Sequence, residues 1–391
     1  MDFALNASQQ AIVDNVERLC AAFDLDYWRR KDSEGGFPHD FHAAIARAGY
    51  LGIAMPVQYG GAGLGMTEAV LVVQAIAQSG AGMSGASAVH MNIFGLHPVV
   101  VFGTPEQKER WLPPLIAGDE KACFAVTEPD VGLDTTRIKT RAVREGNGYV
   151  INGRKIWTST AQVTEKMLIL TRTTPFEDAA RPSAGMTLFY TDLDRSAVEV
   201  REIPKMGRHA VDSNMLFIDG LKVPLEDRIG EEGKGFQYIL HGMNPERILI
   251  AAESVGLGRV ALARAARYAT ERVVFGRPIG QNQGIQHPLA ERWVELEAAE
   301  LLVLRAAAAY DAHEEPATVG AYANAAKYFA GEAGHRACET AMLTHGGMGY
   351  AKEFHVERFF REAQIGRIAP VMAQLILSNI GERVLRLPKS Y

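Results

Sequence analysis

The sequence predicts an α+β fold with three parts in the order α, β, α. We expect an N-terminal all-α domain (1–120), a middle antiparallel β-barrel-like domain (121–235) and a C-terminal four-helix-bundle-like α domain (236–391). Apolar residues recur at helical spacing to about residue 118, and at Lys121 the spacing changes to strand-like runs divided by turn residues. The helical spacing returns after Gly235.

Composition and charge narrow the class of protein. With 391 residues the chain is long enough for two or three domains. No run approaches the roughly 20 uncharged apolar residues of a membrane span. Acidic and basic residues are mixed along a chain of net charge −5, without a basic block. We therefore expect neither a membrane segment nor a nucleic-acid partner.

The cysteines give an expectation about location. Cys20, Cys123 and Cys338 are far apart and lack CxxC spacing. This pattern argues against a disulfide framework and a structural zinc site, and we expect no metal. Met1-Asp2-Phe3 shows neither the basic nor the apolar segment of a secretory signal. The expected location is the cytoplasm.

Apolar spacing and capping residues predict the helices of the first domain. Helical patterns cover Ser8–Phe23, Asp40–Gly49, Thr67–Gln78 and Ala88–Phe102. Ser8 is the predicted N-cap of the first helix. The segment Thr104-Pro105-Glu106-Gln107 has the order of a capping box, with proline at the first helical position. A further helix is therefore predicted to begin there and to end at Gly118.

Turn residues predict the strands of the middle domain. Strand-like runs lie at Met167–Thr171, Met186–Tyr190, Val198–Ile203 and Met215–Ile218. Tyr149–Trp157 is predicted to be a hairpin with Asn152-Gly153 as its two-residue turn. Asp219-Gly220 is predicted to be another turn.

The first long helix of the last domain is predicted to have Asn244 as N-cap and Pro245 at its first helical position, and to run to about Phe275. Further helical patterns cover Gln286–His313, Pro316–His345, Ala351–Gln364 and Val371–Leu385. These helices are long enough for a four-helix bundle.

The stretch Cys123–Thr135 is the first candidate for a binding site. It is apolar up to Val126 and then polar, with Gly132 in the following turn. A strand that ends in the Thr127 hydroxyl and a Gly-containing turn offers backbone N–H groups and one side-chain donor to a planar or anionic ligand. An ordinary strand-to-turn transition has the same pattern, so this stretch alone leaves both interpretations open.

A series of motifs along the chain resolves that choice. In order, these are Thr127-Glu128-Pro129, Asn152-Gly-x-Lys155-x-Trp157-x-Ser159, Glu246-Arg247, Arg272-x-x-Phe275-Gly276 and Gly346-Gly347-x-Gly349. In an α–β–α order the series resembles the acyl-CoA dehydrogenase family, and the resemblance covers essentially the whole chain.

The resemblance implies a flavoenzyme of fatty acid metabolism, with FAD between the β domain and the C-terminal helices. A carboxylate would remove the α-proton of an acyl-CoA thioester, and the β-hydrogen would leave as hydride to flavin N5, which gives the trans-2-enoyl-CoA. FAD would carry this step while the protein orients it. The implied electron acceptor is an electron-transfer flavoprotein. The implied assembly is a homotetramer in which each FAD also touches a neighbouring subunit.

The same resemblance implies FAD contacts in the β domain. Thr127 would donate to the pyrimidine edge or the N5 region, and Trp157 would pack against the ring with Thr158 and Ser159 beside it. Without the resemblance, Trp157 would be interpreted as an aromatic residue in the core of a hairpin. The other implied contacts of this group are Phe124, Val126, Gly132 and Leu133.

A second set of implied contacts lies in the C-terminal helices. Arg272, Phe275 and Gln283 match positions that contact the FAD of a neighbouring subunit, and arginine suits bidentate binding of the pyrophosphate. Leu343, Gly346 and Gly347 would approach the same cofactor, although a helix C-cap also explains the glycine pair. The implied substrate contacts are Leu133, Asn244 and Arg247.

The position of the catalytic base departs from the commonest pattern of the family. Many members carry a glutamate near the C-terminus at the position of Pro370. A subset that includes isovaleryl-CoA and long-chain enzymes places it directly before the arginine that opens the first C-terminal helix, which is Glu246 here. A glutamate in the first turn of a helix also simply complements the helix dipole. A working base would further need burial to raise its pKa towards neutrality.

Other departures leave the chemistry open. Leu133, Val274, Leu343 and Met372 replace polar residues that are usual in the family. Alternatives to dehydrogenation are therefore another flavin reaction on a CoA thioester, of the oxidase or desulfinase type, and a non-catalytic flavin or acyl-CoA binding protein. A helical-bundle interaction protein without a cofactor is the remaining alternative.

Overall fold

The computed structural model describes residues 4–389. Met1-Asp2-Phe3, on which the expectation about a secretory signal rests, lies outside them. The N-terminal helices are α1 (Ala7–Cys20), α2 (Leu25–Glu34), α3 (His39–Arg47), α4 (Met66–Ile76), α5 (Gly82–Phe94), α6 (His97–Phe102) and α7 (Pro105–Ala117). Trp28 and Phe41 are buried where these helices meet.

Helix caps explain several of these boundaries. The capping box at Thr104 is confirmed, since its side chain accepts the N–H of Gln107 at 3.2 Å, and Gly118 ends that helix with φ of 79°. The predicted cap Ser8 is wrong, because the side chain of Asn6 accepts the N–H of Gln9 instead. Helix α2, capped by Asp24, was not predicted, since it is mostly polar and buries few residues.

The run Met66–Phe102 is long and apolar enough for a membrane helix by length and composition alone. However, 72% of its most apolar window is buried inside the protein, and a core helix of a globular domain passes the same test. The run is also broken at Gly80, whose φ of 102° is not helical. The pattern predicted at Ala88–Phe102 is in fact divided between α5 and α6.

The middle domain is one twisted, open sheet. Its strands are β1 (Ala122–Ala125), β2 (Arg141–Glu145), β3 (Gly148–Ser159), β4 (Lys166–Arg172), β5 (Met186–Asp192), β6 (Val198–Glu202), β7 (Ser213–Pro224) and β8 (Arg228–Ile229). The main path is β6-β7-β3-β2-β4-β5-β8, and β1 pairs with β4 in parallel. The prediction of a purely antiparallel, barrel-like sheet therefore needs correction: the sheet is mixed and does not close.

Both turns predicted inside these strands are wrong. Strand β3 continues through Asn152-Gly153, and β7 continues through Asp219-Gly220. The two dipeptides lie opposite each other at a register shift, where Asn152 Oδ1 accepts the N–H of Gly220 at 2.8 Å. A β-bulge uses the same residue types as a tight turn, so the local sequence did not distinguish them.

The C-terminal part is helical, apart from a small hairpin. It contains α8 (Gly235–Glu271), β9 (Val273–Val274), β10 (Arg277–Pro278), α9 (Gln283–Asp311), α10 (Pro316–His345), α11 (Val356–Ala363), α12 (Ile365–Ile368) and α13 (Ala373–Arg383). The predicted helix start at Asn244-Pro245 is wrong, since Pro245 lies inside the 37-residue helix α8. Proline removes one backbone hydrogen bond there, from the carbonyl of the exposed residue His241.

Candidate active site

A buried ion pair fixes the turn that follows β1. The Lys155 ammonium group donates to the carbonyl oxygen of Val126 and to Oε1 of Glu128, both at 3.0 Å. Glu128 also accepts the backbone N–H groups of Lys139 and Thr140. Burial lowers the pKa of Lys155 to about 8, and Glu128 opposes that shift. The segment around Thr127 is therefore anchored from both sides.

Thr127 and Trp157 are brought together by the backbone. The N–H of Ile156 donates to the carbonyl oxygen of Thr127 at 2.9 Å. Trp157 is 57% exposed and has φ of 60°. The alternative of a core aromatic is thereby excluded. A left-handed backbone is strained for a bulky residue and is concentrated at functional sites.

Thr158 and Ser159 complete this surface, which we call the β-domain platform (Thr127 and Trp157–Ser159). Thr158 is fully buried, and its Oγ1 has no hydrogen-bond partner. Because Oγ1 of Thr158 is sealed inside the protein, it does not face a ligand on this surface. The exposed ring of Trp157, two residues from the half-buried hydroxyl of Ser159, fits a flat ligand that carries hydrogen-bonding edges, and the ring system of FAD has that chemistry.

The other β-domain residues of the predicted site flank the platform in sequence. Phe124 lies in β1 and packs edge-to-face against Phe94 of α5, with ring centroids 5.7 Å apart. Val126 is half-buried, and Gly132 is exposed with open space where a side chain would begin. Leu133 is exposed and has φ of 61°. The loop thus presents accessible backbone where the family usually has a serine hydroxyl.

The C-terminal candidates form a separate, exposed group. Within residues 4–389, no hydrogen bond joins this group to the β-domain platform. Phe275 is fully exposed at the tip of the β9–β10 hairpin, with φ of 52°. Leu343 is 70% exposed near the end of α10. The remaining members, Arg272, Gln283, Gly346 and Gly347, are also exposed.

Glu246 lies in the interior of α8 and is only half-buried, yet protein surrounds its carboxylate. Desolvation raises the pKa of Glu246 to about 7, while His90 and Arg247 lower it and Glu253 raises it. No described residue forms a hydrogen bond with this carboxylate. The dipole argument does not apply, because Glu246 is not in the first turn of the helix.

Two of the three predicted substrate contacts, Asn244 and Arg247, are neighbours of Glu246 in the sequence of α8. Arg247 donates to Oδ1 of Asn324 at 2.9 Å, and its Nε is buried without a partner. Asn244 is half-buried one turn away from the exposed surface residue Leu240. The charge of Arg247 lowers the pKa of Glu246, so this side chain acts on the candidate base.

The segment that usually supplies the base carries no carboxylate here. It is held from α10, where the Lys327 ammonium group donates to the carbonyl oxygens of Val371 at 2.6 Å and Arg367 at 3.2 Å. Glu362, the nearest preceding carboxylate in the sequence, accepts hydrogen bonds from the N–H of Met83 and the hydroxyl of Ser84, both at 2.7 Å. Both of its carboxylate oxygens therefore already accept hydrogen bonds from the protein.

The sequence interpretation missed three titratable residues near the site, which are His90, Glu253 and Arg208. His90 of α5 contacts Glu253 of α8 through Nδ1 and Oε1. Arg208, in the loop before β7, has φ of 58° and donates to the hydroxyls of Ser87 and Ser159 at 3.2 Å each. The spacing of Glu246 and Glu253, seven residues apart on one helix face, was the only available signal.

Comparison with known families covers nearly the whole chain. Family models described as the N-terminal, middle and C-terminal domains of acyl-CoA dehydrogenase match residues 6–119, 123–221 and 233–385. The three models together span all three structural parts described above.

Curated relatives have similar lengths. The acyl-CoA dehydrogenase FadE12 of Mycobacterium tuberculosis is 33% identical over 392 residues, covering 100% of this chain and 99% of its own. The 3-(aryl)acrylate reductase of Clostridium sporogenes is 33% identical, covering 89% of this chain and 92% of its own. The caffeyl-CoA reductase-Etf complex subunit CarC of Acetobacterium woodii is 33% identical, covering 97% and 95%.

Solved structures match the fold closely. The butyryl-CoA dehydrogenase of Megasphaera elsdenii has a TM-score of 0.93 at 28% identity, covering 99% of this chain and 100% of its own. A glutaryl-coenzyme A dehydrogenase in complex with glutaryl-CoA has a TM-score of 0.94 at 29% identity, covering 100% and 98%. The prolyl acyl carrier protein oxidase AnaB has a TM-score of 0.91 at 27% identity, covering 98% and 100%.

Proposed function

The chain belongs to the acyl-CoA dehydrogenase family, and from this premise we propose that Glu246 removes the α-proton when the enzyme dehydrogenates an acyl-CoA thioester. Family membership makes the protein a flavin-dependent oxidoreductase with FAD as its cofactor. The proposed product is the trans-2-enoyl-CoA. The assignment of the base depends on the carboxylates near the site.

Three glutamates lie on the helices around the candidate site, and they differ in their partners. Glu362 is bonded to α5, and Glu253 contacts His90. Among the described residues, Glu246 is the one of the three without a hydrogen-bond partner. This free carboxylate, with a pKa of about 7, carries the proposal. A base with such a pKa is half ionised near neutral pH and can take a proton without a large energetic penalty.

The other site residues would bind FAD and orient the thioester. When bound, FAD supplies the acceptor for the hydrogen that leaves the β-carbon. Thr127, Trp157 and Ser159 would hold its ring system, since they offer a flat exposed ring with hydrogen-bonding groups nearby. Arg247 and Asn244 would orient the thioester beside Glu246, because held geometry is a large part of catalysis.

Partners and location are further parts of the proposal. We propose an electron-transfer flavoprotein as electron acceptor, supported by the name of the CarC relative, which refers to an Etf complex. We also propose a homotetramer, supported by the exposure of Phe275, Leu343 and Tyr350 near the C-terminal candidates. A cytoplasmic location agrees with three buried, free cysteines and would be tested by cell fractionation.

A second candidate is the reverse reaction, the reduction of a 2-enoyl-CoA. Two relatives are named as reductases. A Glu246 with a pKa of about 7 is also half protonated near neutrality, so the same residue can donate a proton to the α-carbon. The direction would then depend on the potential of the electron partner rather than on the site.

Anaerobic titration of the purified protein with a panel of acyl-CoAs, followed by loss of flavin absorbance, tests the proposal. Bleaching by at least one thioester in the unmodified protein, and its loss in E246Q with full FAD content, are the expected results. A yellow protein that no thioester bleaches would instead indicate a non-catalytic binding protein. Rapid oxygen consumption during turnover would indicate an oxidase.

A further inference from the structure

The pair His90–Glu253 is one of the most deeply buried contacts between carboxylate and imidazole in the described part of the chain. The side chain of Glu253 is fully buried, and its Oε2 has no partner. His90 is 5% exposed and contacts Oε1 through Nδ1. A buried carboxylate is tolerated when it is protonated or paired with a cation. The imidazole of His90 is therefore the described contact that can compensate the charge of Glu253.

This pair lies on the same side of α8 as the proposed base. Glu246 and Glu253 are seven residues apart, which is about two helical turns and places both on one face. His90 reaches this face from α5, which packs against α8. Among residues 4–389, Nε2 of His90 has no hydrogen-bond partner and is not sealed from open space.

The other charged groups around the pair are few. Arg247 neighbours Glu246 on α8, and Arg208 faces Glu253 from the loop before β7. Arg208 in turn is surrounded by Glu253, Glu362 and Asp212. It forms hydrogen bonds with serine hydroxyls rather than with a carboxylate. The contact that neutralises Glu253 directly is therefore the one with His90.

We propose that His90 and Glu253 form a charge-compensated pair that sets the ionisation of Glu246. Both are positioning residues, and the proposal rests on the proposed role of Glu246 as base. A Glu253 carboxylate alone would disfavour a second negative charge two turns away, whereas a His90 cation would favour it. When His90 and Glu253 are paired, their opposite effects on the pKa of Glu246 largely cancel. The pKa of Glu246 responds in these directions, since His90 lowers it and Glu253 raises it.

The alternative is that the pair only packs α5 against α8. Loss of either residue would then change stability or FAD content without moving the titration of Glu246. A charge effect has a distinct signature: removal of His90 and removal of Glu253 shift the titration in opposite directions, and removal of both restores it. Packing gives no reason for such opposite shifts.

The test compares H90Q, E253Q and the double variant H90Q/E253Q, each with Glu246 and with E246Q, in the full-length holoenzyme. The free energy of unfolding is measured between pH 5 and 9, and the difference between the Glu246 and E246Q proteins gives the midpoint of the Glu246 titration without any turnover. We expect H90Q to raise this midpoint by about half a pH unit to one unit, E253Q to lower it, and the double variant to return it to the original value.

The pH midpoint for the rate of flavin bleaching in the first turnover should shift in the same direction in each variant. H97Q is the matched control, because His97 is a half-buried histidine whose partner is Tyr310. Should H90Q fail to fold, E253Q and the double variant still predict different midpoints. Equal midpoints in all variants, or shifts of one sign in both single variants, would overturn the proposal. Continued bleaching in E246Q would contradict the role of Glu246 as base, and the midpoints from unfolding would still test the pair.

Discussion

Ile156 donates its backbone N–H to the carbonyl oxygen of Thr127 at 2.9 Å and so joins two motifs that lie 29 residues apart in the sequence. The bond fixes the end of β1 against β3, and Trp157 follows directly as an exposed residue with a left-handed backbone. The β-domain platform is therefore formed on the sheet, and Arg208 also links its Ser159 to Ser87 of α5.

Glu246→Gln should abolish flavin bleaching by acyl-CoA while FAD remains bound. Glutamine keeps the size of the side chain but cannot accept the α-proton, and loss of a general base costs about 100-fold to 10,000-fold in rate. Stopped-flow absorbance measures bleaching, and the absorbance ratio of flavin to protein measures FAD content. Glu362→Gln is not a useful control, because Glu362 bonds to α5. Near-normal bleaching in E246Q would remove Glu246 from the mechanism.

The rate of bleaching should rise as the pH rises through about 7, because the ionised form of Glu246 is the base. Stability should change in the opposite direction. The pKa of Glu246 in the folded protein lies above its value in the unfolded chain, so its contribution to stability is complete below about pH 4.5 and is lost as the pH rises through about 7.

The size of that loss is at most about 3 kcal/mol. Denaturant unfolding at several pH values, with E246Q as reference, measures it. A difference in unfolding free energy that does not change between pH 5 and 8 would contradict the raised pKa.

Thr158→Val should stabilise the cofactor-free protein without changing its affinity for FAD. The hydroxyl of Thr158 is buried and unpartnered within the described protein, so its removal should raise the free energy of unfolding by up to about 1 kcal/mol. The same burial seals the hydroxyl from a ligand, so the Kd for FAD should stay the same. Urea unfolding measures the stability, and fluorescence titration of the apoprotein with FAD gives the Kd. A Kd raised by roughly tenfold would show that FAD reaches this hydroxyl.

Lys155→Met should destabilise the protein by about 3 kcal/mol, because it leaves the buried carboxylate of Glu128 without its cation. Adding Glu128→Gln should recover part of the loss. Lys166→Met is the control, since the partner of Lys166 is the exposed Asp192 and such a pair contributes under about 1 kcal/mol. Urea unfolding compares the variants, and similar losses in K155M and K166M would contradict the argument.

Phe275→Ala should leave the fold intact and weaken assembly, because this ring is fully exposed at the tip of the β9–β10 hairpin. In the proposed tetramer its loss should also lower FAD content. Native mass spectrometry and flavin absorbance measure these effects. Val57→Ala, at an exposed position of the N-terminal domain, should change neither. An unchanged assembly in F275A would show that the hairpin is not part of an interface.

The sequence predicted best those features that depend on neighbouring residues. Thr104 and Gln107 form their capping box because both partners lie within one helical turn. Asn152-Gly153 was misread as a turn because its true partner, Gly220, lies in another strand. Pro245 was misread as a helix start for a similar reason, since tertiary packing carries α8 through it.

The same distinction applies to the site. Thr127, Trp157 and Glu246 were assigned to the candidate site through motifs, that is, through resemblance to a family. His90 and Glu253 are 163 residues apart, and neither has a distinctive sequence context. Arg208 likewise has partners in α5 and β3. A single sequence contains no signal for such contacts, because they arise only when the helices and the sheet have packed.

Helix α8 is continuous from Gly235 to Glu271, with Glu246 in its interior and Arg272 directly after its end. At 1.5 Å per residue, the 26 residues between them span about 39 Å, which is longer than many small domains. In the proposed tetramer, this helix would fix the distance between the base of one active site and the cofactor contact of another. A tilt of this helix would then move the base in one active site and the cofactor contact in the other at the same time. The geometry of the two active sites would therefore be coupled.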